Sequence, residues 1–387
     1  MTEQPDPNRE TILANARLVL PDEVVTGSIV LRGETIAALD HGTAVPQGAV
    51  DCEGDYLCPG LVELHTDNLE RHMQPRPGVK WPRAAAVVAH DAELASVGIT
   101  TVFDALRVGS IVSDARSRYG KYAREMSRDI LDLRDRGALR ISHFIHLRAE
   151  LCSETLEEEL SEFGPEDRIG IVSVMDHTPG QRQFVDTKQL RVYLKGKYNM
   201  ADADIDGHIA FQIGIGESNG PRHEKIAVQR ATELGAIVAS HDDTTEGHVS
   251  RSAEIGVGLA EFPTSVTAAE ACRQNEIAVM MGAPNVVRGG SHSGNVAASD
   301  LADRGLLDIL SSDYVPSSLL AAAVQLGERL DDMATGISTV TAAPASATRL
   351  RDRGRIATGL RADLTRFSVD HGTPVVRGVW SRGRRVS

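Results

Sequence analysis

The chain has 387 residues, of which 41% are hydrophobic and 25% charged, a composition typical of a folded globular protein rather than a disordered one. This length allows one large barrel domain or two ordinary domains with a sizeable buried core. The formal net charge of −13 argues against a general nucleic-acid-binding protein, because such proteins need clustered positive charge to displace counterions.

The sequence carries no signal for secretion or for membrane insertion. Its first ten residues, MTEQPDPNRE, lack the basic start and apolar core of a secretory signal. The richest apolar window, residues 84–106, is interrupted by His90, Asp91 and Glu93, so it does not predict a membrane span. The four cysteines form no CxxC pair. We therefore expect reduced thiols and a cytoplasmic location.

Both ends of the chain carry short alternating runs that predict β-strands. Starting at residue 12, the N-terminal part contains ILANARLVL, SIVLRGETIAALD and AVDCEGDYLCPG, with glycines at the breaks. The same pattern returns after Gly354 in GRIATGLRADLTRFSVDHGTPVVRGVW. The two ends therefore predict one small β-sandwich domain, formed by residues 1–58 and 352–387.

The middle of the chain, residues 59–351, alternates apolar runs of strand length with helical stretches, which indicates βα units and a parallel sheet. One helical stretch, PRAAAVVAHDAELASV, stops before Gly98, a residue suited to a helix C-terminus. Eight apolar runs end in polar or acidic residues: LVELH, TTVFDAL, ISHFIHLRAE, GIVSVMDH, AIVASH, LAEFPTS, AVMMGAPN and ILSSD. Eight strands suit a distorted (β/α)8 TIM-like barrel, and a doubly wound open sheet is the alternative.

Candidate metal ligands stand at the ends of five of these runs. They are His65, Asp67, Glu150, His177, His241 and Asp313. In a βα barrel the C-terminal ends of the strands meet at one mouth, so these side chains would converge although they are far apart in the sequence. Imidazole and carboxylate ligands suit Zn, Mn or Fe, and six of them could hold two divalent metals per chain.

A resemblance to a known family rests on several features of the sequence. They are the β-rich ends, PGLVELHTD, the SSD motif and TAAPASATRLRDRGRIATGLRADLTRF. Through these features the chain resembles the amidohydrolase superfamily of metal-dependent hydrolases over essentially its whole length. The chain departs from the usual pattern at three points. His65 and Asp67 stand where that superfamily has His-x-His, Glu150 replaces the bridging lysine carbamate, and no histidine ends the sixth run.

Longer motifs resemble one branch of that superfamily, the α-D-ribose 1-methylphosphonate 5-triphosphate diphosphatases of the carbon–phosphorus lyase pathway. These motifs are HTDNLERHMQPRPGVKW, LRAEL, MDHTPGQRQF, YLKGKYNM and RGGSHSGN. The resemblance implies hydrolysis of a ribose 5-triphosphate to the 5-phosphate and pyrophosphate, with the methylphosphonate kept on C1. It also implies that Asp313 is both a metal ligand and the catalytic proton acceptor.

With this substrate, three polar or basic stretches are candidates for binding its phosphates and sugar. The predicted substrate-binding residues are Asn68, Arg71, His72, Arg76, Lys80, Lys195, Lys197, Tyr198, Arg288, Ser291, His292 and Asn295. Arginine offers planar forks for bidentate phosphate contacts, and the glycines of RGGSHSGN let backbone N–H groups approach an anion.

Two other functions remain open on the sequence alone. The same ligands would serve an amidohydrolase that acts on a C–N bond of a cyclic amide, an N-acyl group or a deaminable group. A non-catalytic scaffold that retains the barrel for protein association is the second. For the enzyme we expect a small phosphorylated sugar as its ligand, no nucleic-acid or membrane partner, and, by analogy, a homo-oligomer.

Overall fold

The structure, a computed structural model, describes residues 10–113, 121–182, 191, 202–291 and 294–387. Its strands are β1 (Glu10–Val19), β2 (Val24–Arg32), β3 (Thr35–His41), β4 (Val50–Asp51), β5 (Tyr56–Pro59), β6 (Leu61–Thr66), β7 (Ile99–Val108), β8 (Ser142–Glu150), β9 (Ile169–Met175), β10 (Ile237–His241), β11 (Leu259–Glu261), β12 (Ala278–Gly282), β13 (Ile309–Ser311), β14 (Leu364–Asp370), β15 (Thr373–Ser381) and β16 (Arg384–Arg385).

The described helices are α1 (Asn68–Met73), α2 (Arg83–Ser96), α3 (Ala123–Asp135), α4 (Leu156–Ser161), α5 (Asp202–Leu234), α6 (Glu246–Glu254), α7 (Val266–Gln274), α8 (Ala283–Arg288), α9 (Ala298–Asp303), α10 (Ser318–Arg329), α11 (Met333–Ser338) and α12 (Ala342–Ala347), with a 3-10 turn at Pro165–Asp167. Among them no helix carries an apolar stretch that could span a bilayer.

The two ends of the chain build one mixed sheet. Its strands follow the order β16-β15-β14-β5-β1-β2-β3, and β4 pairs with β1. The pairs β1–β2 and β5–β14 are antiparallel, whereas β1 and β5 are parallel. Buried side chains from both ends, among them Leu13, Ile29, Leu57 and Trp380, form a single core on this sheet. The predicted pairing of the chain ends is confirmed, while the boundaries 1–58, 352–387 and 59–351 stay a prediction.

The middle strands form a second, eight-stranded sheet in the order β13-β12-β11-β10-β9-β8-β7-β6. A parallel bridge between Thr66 and Asp313 joins its first and last strands, so the sheet is a nearly closed barrel. The eight apolar runs of the sequence correspond to β6 to β13 in chain order, which confirms the predicted (β/α)8 architecture.

Burial explains why the barrel strands read as continuous apolar runs. Every residue of β6 is buried, and so are nine of the ten residues of β7. Parallel strands covered on both faces lack the alternation of a half-exposed strand. A polar residue inside such a strand, such as Glu63 in β6, must therefore find hydrogen-bond partners within the protein.

Helix α2 shows how the sequence sets an element boundary. Its buried residues Ala86, Val87, His90, Asp91 and Leu94 recur at helical spacing and define one inward face. Gly98 follows with φ +97°, a left-handed conformation that glycine adopts without steric cost. The chain then enters β7, as the sequence predicts.

By its internal packing the chain divides into two compact units. Unit 1 contains Met1–Asp104, Asp129–Phe144 and Met281–Ser387, and unit 2 contains Ala105–Arg128 and Ile145–Met280.

Candidate metal centre and substrate site

In unit 1 the structure brings together three predicted metal ligands. His65 lies near the end of β6, Asp67 follows the same strand, and Asp313 follows β13. Each offers one ligand atom, and these atoms lie within 4.8 Å of one another. Nε2 of His65 is 3.9 Å from Oδ1 of Asp67. One imidazole and two carboxylates in this arrangement could hold a divalent metal.

Backbone hydrogen bonds hold these ligands in register. The amide of Asp67 donates to the carbonyl of Asp313 at 2.8 Å, and the amide of Asp313 donates to the carbonyl of His65 at 3.2 Å. Asp313 has φ +54°, a left-handed conformation that aspartate tolerates better than most residues. The ligand geometry is therefore fixed by the closure of the barrel sheet at β6 and β13.

Glu63, a buried carboxylate of β6, links β6 to the end of β13 by hydrogen bonds. Its Oε1 accepts from the His65 amide and from Ser311 Oγ, both at 2.8 Å, and its Oε2 accepts from the Ser312 amide at 2.7 Å. Burial raises the pKa of Glu63 by more than the hydrogen bonds from Ser312 and His65 lower it. The sequence prediction missed this residue, whose only signal was an acidic side chain inside an apolar run.

In unit 2 the other three predicted ligands also lie at strand ends. Glu150 ends β8, His177 follows β9, and His241 ends β10. Oε2 of Glu150 is 2.5 Å from Nδ1 of His177, whose amide donates to Oε1 at 3.2 Å. His177 and His241 form a possible metal-binding group with Asp242, again with ligand atoms within 4.8 Å of one another.

Asp242 was not predicted from the sequence. It directly follows His241, has φ +56°, and its Oδ2 lies 2.8 Å from Nδ1 of that histidine. The signal that could have revealed it is the acidic pair that follows the strand in SHDD, because a left-handed turn can direct the first of these carboxylates back to its neighbour.

The electrostatics of unit 2 favour the charged form of the Glu150 carboxylate. Burial raises the pKa of Glu150, but the charge and hydrogen bond of His177, followed by Arg107, hold that pKa at about 2. Burial lowers the pKa of His241, and Asp242 and Glu261 reverse this and raise it. Ionised carboxylates with imidazoles are a donor set that Zn, Mn and Fe accept. The residues present therefore fit a divalent metal.

The polar residues after Asp67 converge on Glu93 of α2. Arg71 Nη2 lies 2.5 Å from Glu93 Oε1, while His72 Nε2 and Asn68 Nδ2 lie 2.7 and 2.9 Å from Glu93 Oε2. Burial raises the pKa of Glu93, but hydrogen bonds from Asn68, Arg71 and His72 lower it to about 2. The sequence prediction missed Glu93, which neutralises part of the charge that was predicted to meet phosphate.

The remaining predicted substrate residues fall into two sets. Arg76, Lys80 and Arg288 are exposed, and Ser291 and Asn295 are half-buried. Arg76 also forms a short antiparallel bridge with Val79. Outside the described residues lie Lys195, Lys197, Tyr198 and His292. For all of these residues, phosphate or sugar binding stays a prediction.

A chain of buried ionisable groups lies behind α1 in unit 1. His90 Nε2 is 2.9 Å from Asp104 Oδ1, and His143 Nδ1 is 2.7 Å from Asp104 Oδ2. The opposite nitrogen of His143 lies 3.3 Å from Asp91 Oδ1, which also accepts from the Arg140 amide at 2.8 Å. Sequence reasoning did not find this network, because its members come from α2, β7 and β8.

Two curated relatives align with nearly the whole chain. Alpha-D-ribose 1-methylphosphonate 5-triphosphate diphosphatase from Escherichia coli (strain K12) is 44% identical over 381 residues, covering 97% of this chain and 100% of that relative. An imidazolonepropionase from Streptomyces coelicolor is 25% identical over 411 aligned positions, covering 92% of this chain and 91% of that relative.

The fold also matches solved structures. Dihydropyrimidinase from Brevibacillus agri NCHU1002 superimposes with a TM-score of 0.64 at 13% identity, covering 97% of this chain and 95% of that one. At this level of identity the match concerns the fold. No protein-family model matches the chain.

Proposed function

This chain belongs to the α-D-ribose 1-methylphosphonate 5-triphosphate diphosphatase family, a branch of the amidohydrolase superfamily, and from this premise we infer the reaction that it catalyses. It hydrolyses α-D-ribose 1-methylphosphonate 5-triphosphate to α-D-ribose 1-methylphosphonate 5-phosphate and pyrophosphate, a step of phosphonate metabolism. The observation that carries this conclusion is the identity with the Escherichia coli diphosphatase across its full length.

For the metal, we propose two divalent ions per chain, drawn from Zn, Mn and Fe. His65, Asp67 and Asp313 would bind in unit 1, and His177 and His241 in unit 2 with Glu150 or Asp242 as the carboxylate. In such a site a divalent metal supplies Lewis-acid activation of a water molecule and neutralises charge on phosphoryl oxygens. The proposal is supported by the donor chemistry of the two groups.

Asp313 is the proposed catalytic residue. In the reaction a water oxygen bonds to phosphorus, the anhydride linkage between the α- and β-phosphates breaks, and the 5-phosphate and pyrophosphate separate. The attacking water must lose a proton, and a carboxylate near the reacting atoms can accept it. The position of Asp313 after β13, with its amide held by the His65 carbonyl, supports this assignment.

The basic residues around the predicted mouth are the proposed phosphate ligands. Arg71 and His72 share Glu93 in this structure, so phosphate binding would exchange one anionic partner for another. Arg76, Lys80 and Arg288 are exposed and can reach ligand oxygens without breaking a buried contact. Guanidinium groups suit this role because they bind phosphate in a bidentate manner.

Phosphorus NMR of the purified protein with the ribose 5-triphosphate substrate tests the reaction directly. The expected result is that pyrophosphate and the 5-phosphate product appear together in equal amounts when Zn, Mn or Fe is present, and that a sample treated with chelator shows neither. A metal-loaded protein that released no pyrophosphate would contradict the diphosphatase function. Cyclic amides and N-acyl compounds would then be assayed as alternative substrates. The support for this alternative is weaker, because the imidazolonepropionase is only 25% identical to this chain.

We further propose a cytoplasmic homo-oligomer. The four cysteines are all free and buried, which is consistent with a reducing compartment. Light scattering coupled to size-exclusion chromatography tests the assembly, and elution at the mass of one 41.6 kDa chain would contradict it.

A further inference from the structure

Asn68 is a buried amide at the start of α1, directly after the predicted ligand Asp67, and only 1% of its surface is exposed. Its Nδ2 lies 3.0 Å from His90 Nδ1 and 2.9 Å from Glu93 Oε2. Because the Glu93 carboxylate only accepts hydrogen bonds, the atom that faces it must be the amide nitrogen. Both amide hydrogens of Asn68 are therefore engaged.

The buried network fixes the partner that receives one of these hydrogens. Asp104 accepts from Nε2 of His90, so Nδ1 of that imidazole is left as an acceptor for Asn68. Burial lowers the pKa of His90, which keeps the ring neutral, although Asp104 acts in the opposite direction. His143 holds the other oxygen of Asp104, so the tautomer of His90 and the orientation of the Asn68 amide are set together.

The remaining polar atom of Asn68 is its carbonyl oxygen. Oδ1 is buried and has no hydrogen-bond partner among the residues that the structure describes. Buried polar atoms are almost always hydrogen-bonded in folded proteins. Since both hydrogens of the amide are already donated, whatever completes this group must approach the oxygen as a hydrogen-bond donor or as a cation.

The substrate of the proposed function has few groups of this kind. Its phosphate, phosphonate and ring oxygens are acceptors near neutral pH, whereas the hydroxyl groups on C2 and C3 of the ribose can donate. We propose that Oδ1 of Asn68 accepts a hydrogen bond from one of these ribose hydroxyls and makes the enzyme specific for the intact sugar. This inference rests on the proposed function, and it assigns Asn68 to the sugar rather than to the phosphates.

The test compares the substrate with its 2-deoxy and 3-deoxy ribose analogues, for the wild type and for Asn68→Ala, with pyrophosphate release as the assay. The wild type should lose about tenfold in kcat/KM on one of the two analogues, the effect of one hydrogen bond with its acceptor left unpaired. Asn68→Ala should lose about as much on the full substrate, and it should treat all three compounds alike. The matched control is Asn275→Ala, which removes an exposed side-chain amide that donates to the Ala271 carbonyl, and it should retain the wild-type ratios.

Calorimetry with the 5-phosphate product and its deoxy counterparts gives the same comparison without turnover. Equal rates of the wild type on all three substrates would overturn the inference. This result needs no variant, so the test remains valid even if Asn68→Ala fails to fold. An Asn68→Ala protein that kept the full discrimination would also overturn it and would indicate an ordered water as the donor. If the metal-loaded wild type releases no pyrophosphate from the full substrate, the proposed function itself fails and this inference falls with it.

Discussion

Asp104 lies fully buried between His90 and His143, and it is the only acidic partner of His90 in the described network. Replacing it with asparagine would leave the charge of His143 with one carboxylate, that of Asp91 at 3.3 Å, instead of two. We expect Asp104→Asn to lower the free energy of unfolding by about 3–5 kcal/mol, the usual cost of breaking a buried ion pair from one side.

Urea denaturation followed by circular dichroism measures this change. The control is Asp303→Asn, which removes an exposed partner of Arg329 and should leave the free energy of unfolding close to the wild-type value. If both variants were equally stable, the charges of the buried network would contribute nothing to folding.

His143 should make stability depend on pH in the alkaline range. Burial opposes its charge, but Asp104 and then Asp91 raise the pKa of His143 from 6.5 to about 9. A raised pKa in the folded state stabilises fully below pH 6.5, and this contribution is lost as the pH rises through about 9. For Asp104 the pKa is lowered from 3.8 to about 2, so its contribution is present above pH 3.8 and is lost below it.

Unfolding free energies of the wild type at pH 6.5, 8 and 9.5 should therefore fall in that order. The variant His143→Gln should lack this part of the decline. If the unfolding free energy of His143→Gln fell with pH as steeply as that of the wild type, groups other than His143 would cause the loss of stability at alkaline pH.

Asp313→Asn should lower kcat by about 10²–10⁴-fold, because an amide cannot accept the proton of the attacking water. The amide oxygen can still bind a metal, so metal content by mass spectrometry should be measured beside pyrophosphate release. A kcat within a fewfold of the wild type, with metal bound, would remove Asp313 from the catalytic role.

At the scale of residues, the sequence pattern was sufficient to predict the polar side chains at strand ends, but not the buried carboxylates that hydrogen-bond to those residues or their neighbours. His65, Asp67 and Asp313 could be found because a polar residue after an apolar run has one plausible position in a barrel. Glu63 and Glu93 could not, since a carboxylate inside a strand or on a helix gains its role from hydrogen bonds to elements distant in sequence. Such contacts have no local pattern.

At the scale of elements, Gly60 marks the passage from β5 of the mixed sheet into β6 of the barrel. A Cβ at this position would lie 2.2 Å from Thr100 Oγ1, and the Gly60 amide donates to the Asp363 carbonyl at 2.8 Å. We expect Gly60→Ala to destabilise the protein by about 1–3 kcal/mol, because neither β6 nor β7 can move aside without loss of packing.

The matched control is Gly207→Ala. This glycine lies exposed in α5 with open space around the added methyl group, so alanine should stabilise the helix by about 0.5–1 kcal/mol. Thermal melting of the two variants should give shifts of opposite sign. A melting temperature of Gly60→Ala equal to that of the wild type would show that the junction tolerates a side chain.

Helix α5 shows where element prediction from sequence reaches its limit. Gly214, Gly216, Gly220 and Pro221 argue against a helix, yet Asp202–Leu234 forms a single one of 33 residues. At Gly216 a Cβ would lie 2.1 Å from Thr178 Oγ1, so tertiary packing rather than helix propensity selects that glycine. The barrel strands were easier to predict because complete burial leaves an apolar run that any parallel strand must have.

At the scale of the whole molecule, metal removal should affect both activity and stability. Ligands that bind the folded state alone stabilise it by mass action. Exhaustive treatment with chelator should abolish pyrophosphate release and lower the melting temperature, and Zn, Mn or Fe should restore both, whereas Mg should restore them poorly because it prefers all-oxygen sites. A chelated protein of full activity would exclude the proposed metal centres.

The global fold was predictable because it follows from the number and order of the β-strand patterns along the chain. These are two β-rich ends with eight apolar runs between them. Side-chain pairing is a property of the assembled molecule. The formal charge of −13 says nothing of the local charge of Arg71, which the Glu93 carboxylate already balances in part.

The mixed sheet has a consequence for the order of events during translation. Strand β14 is the antiparallel neighbour of β5, although roughly 300 residues separate them, and at about 5–20 residues per second a ribosome needs on the order of 15–60 seconds to make that segment. Until β14 leaves the ribosome, the nascent chain presents β5 as an open strand edge that other chains can pair with. The N-terminal strands are thus synthesised first, but the sheet to which they belong is completed late. A chaperone that shields strand edges would be needed most during this interval.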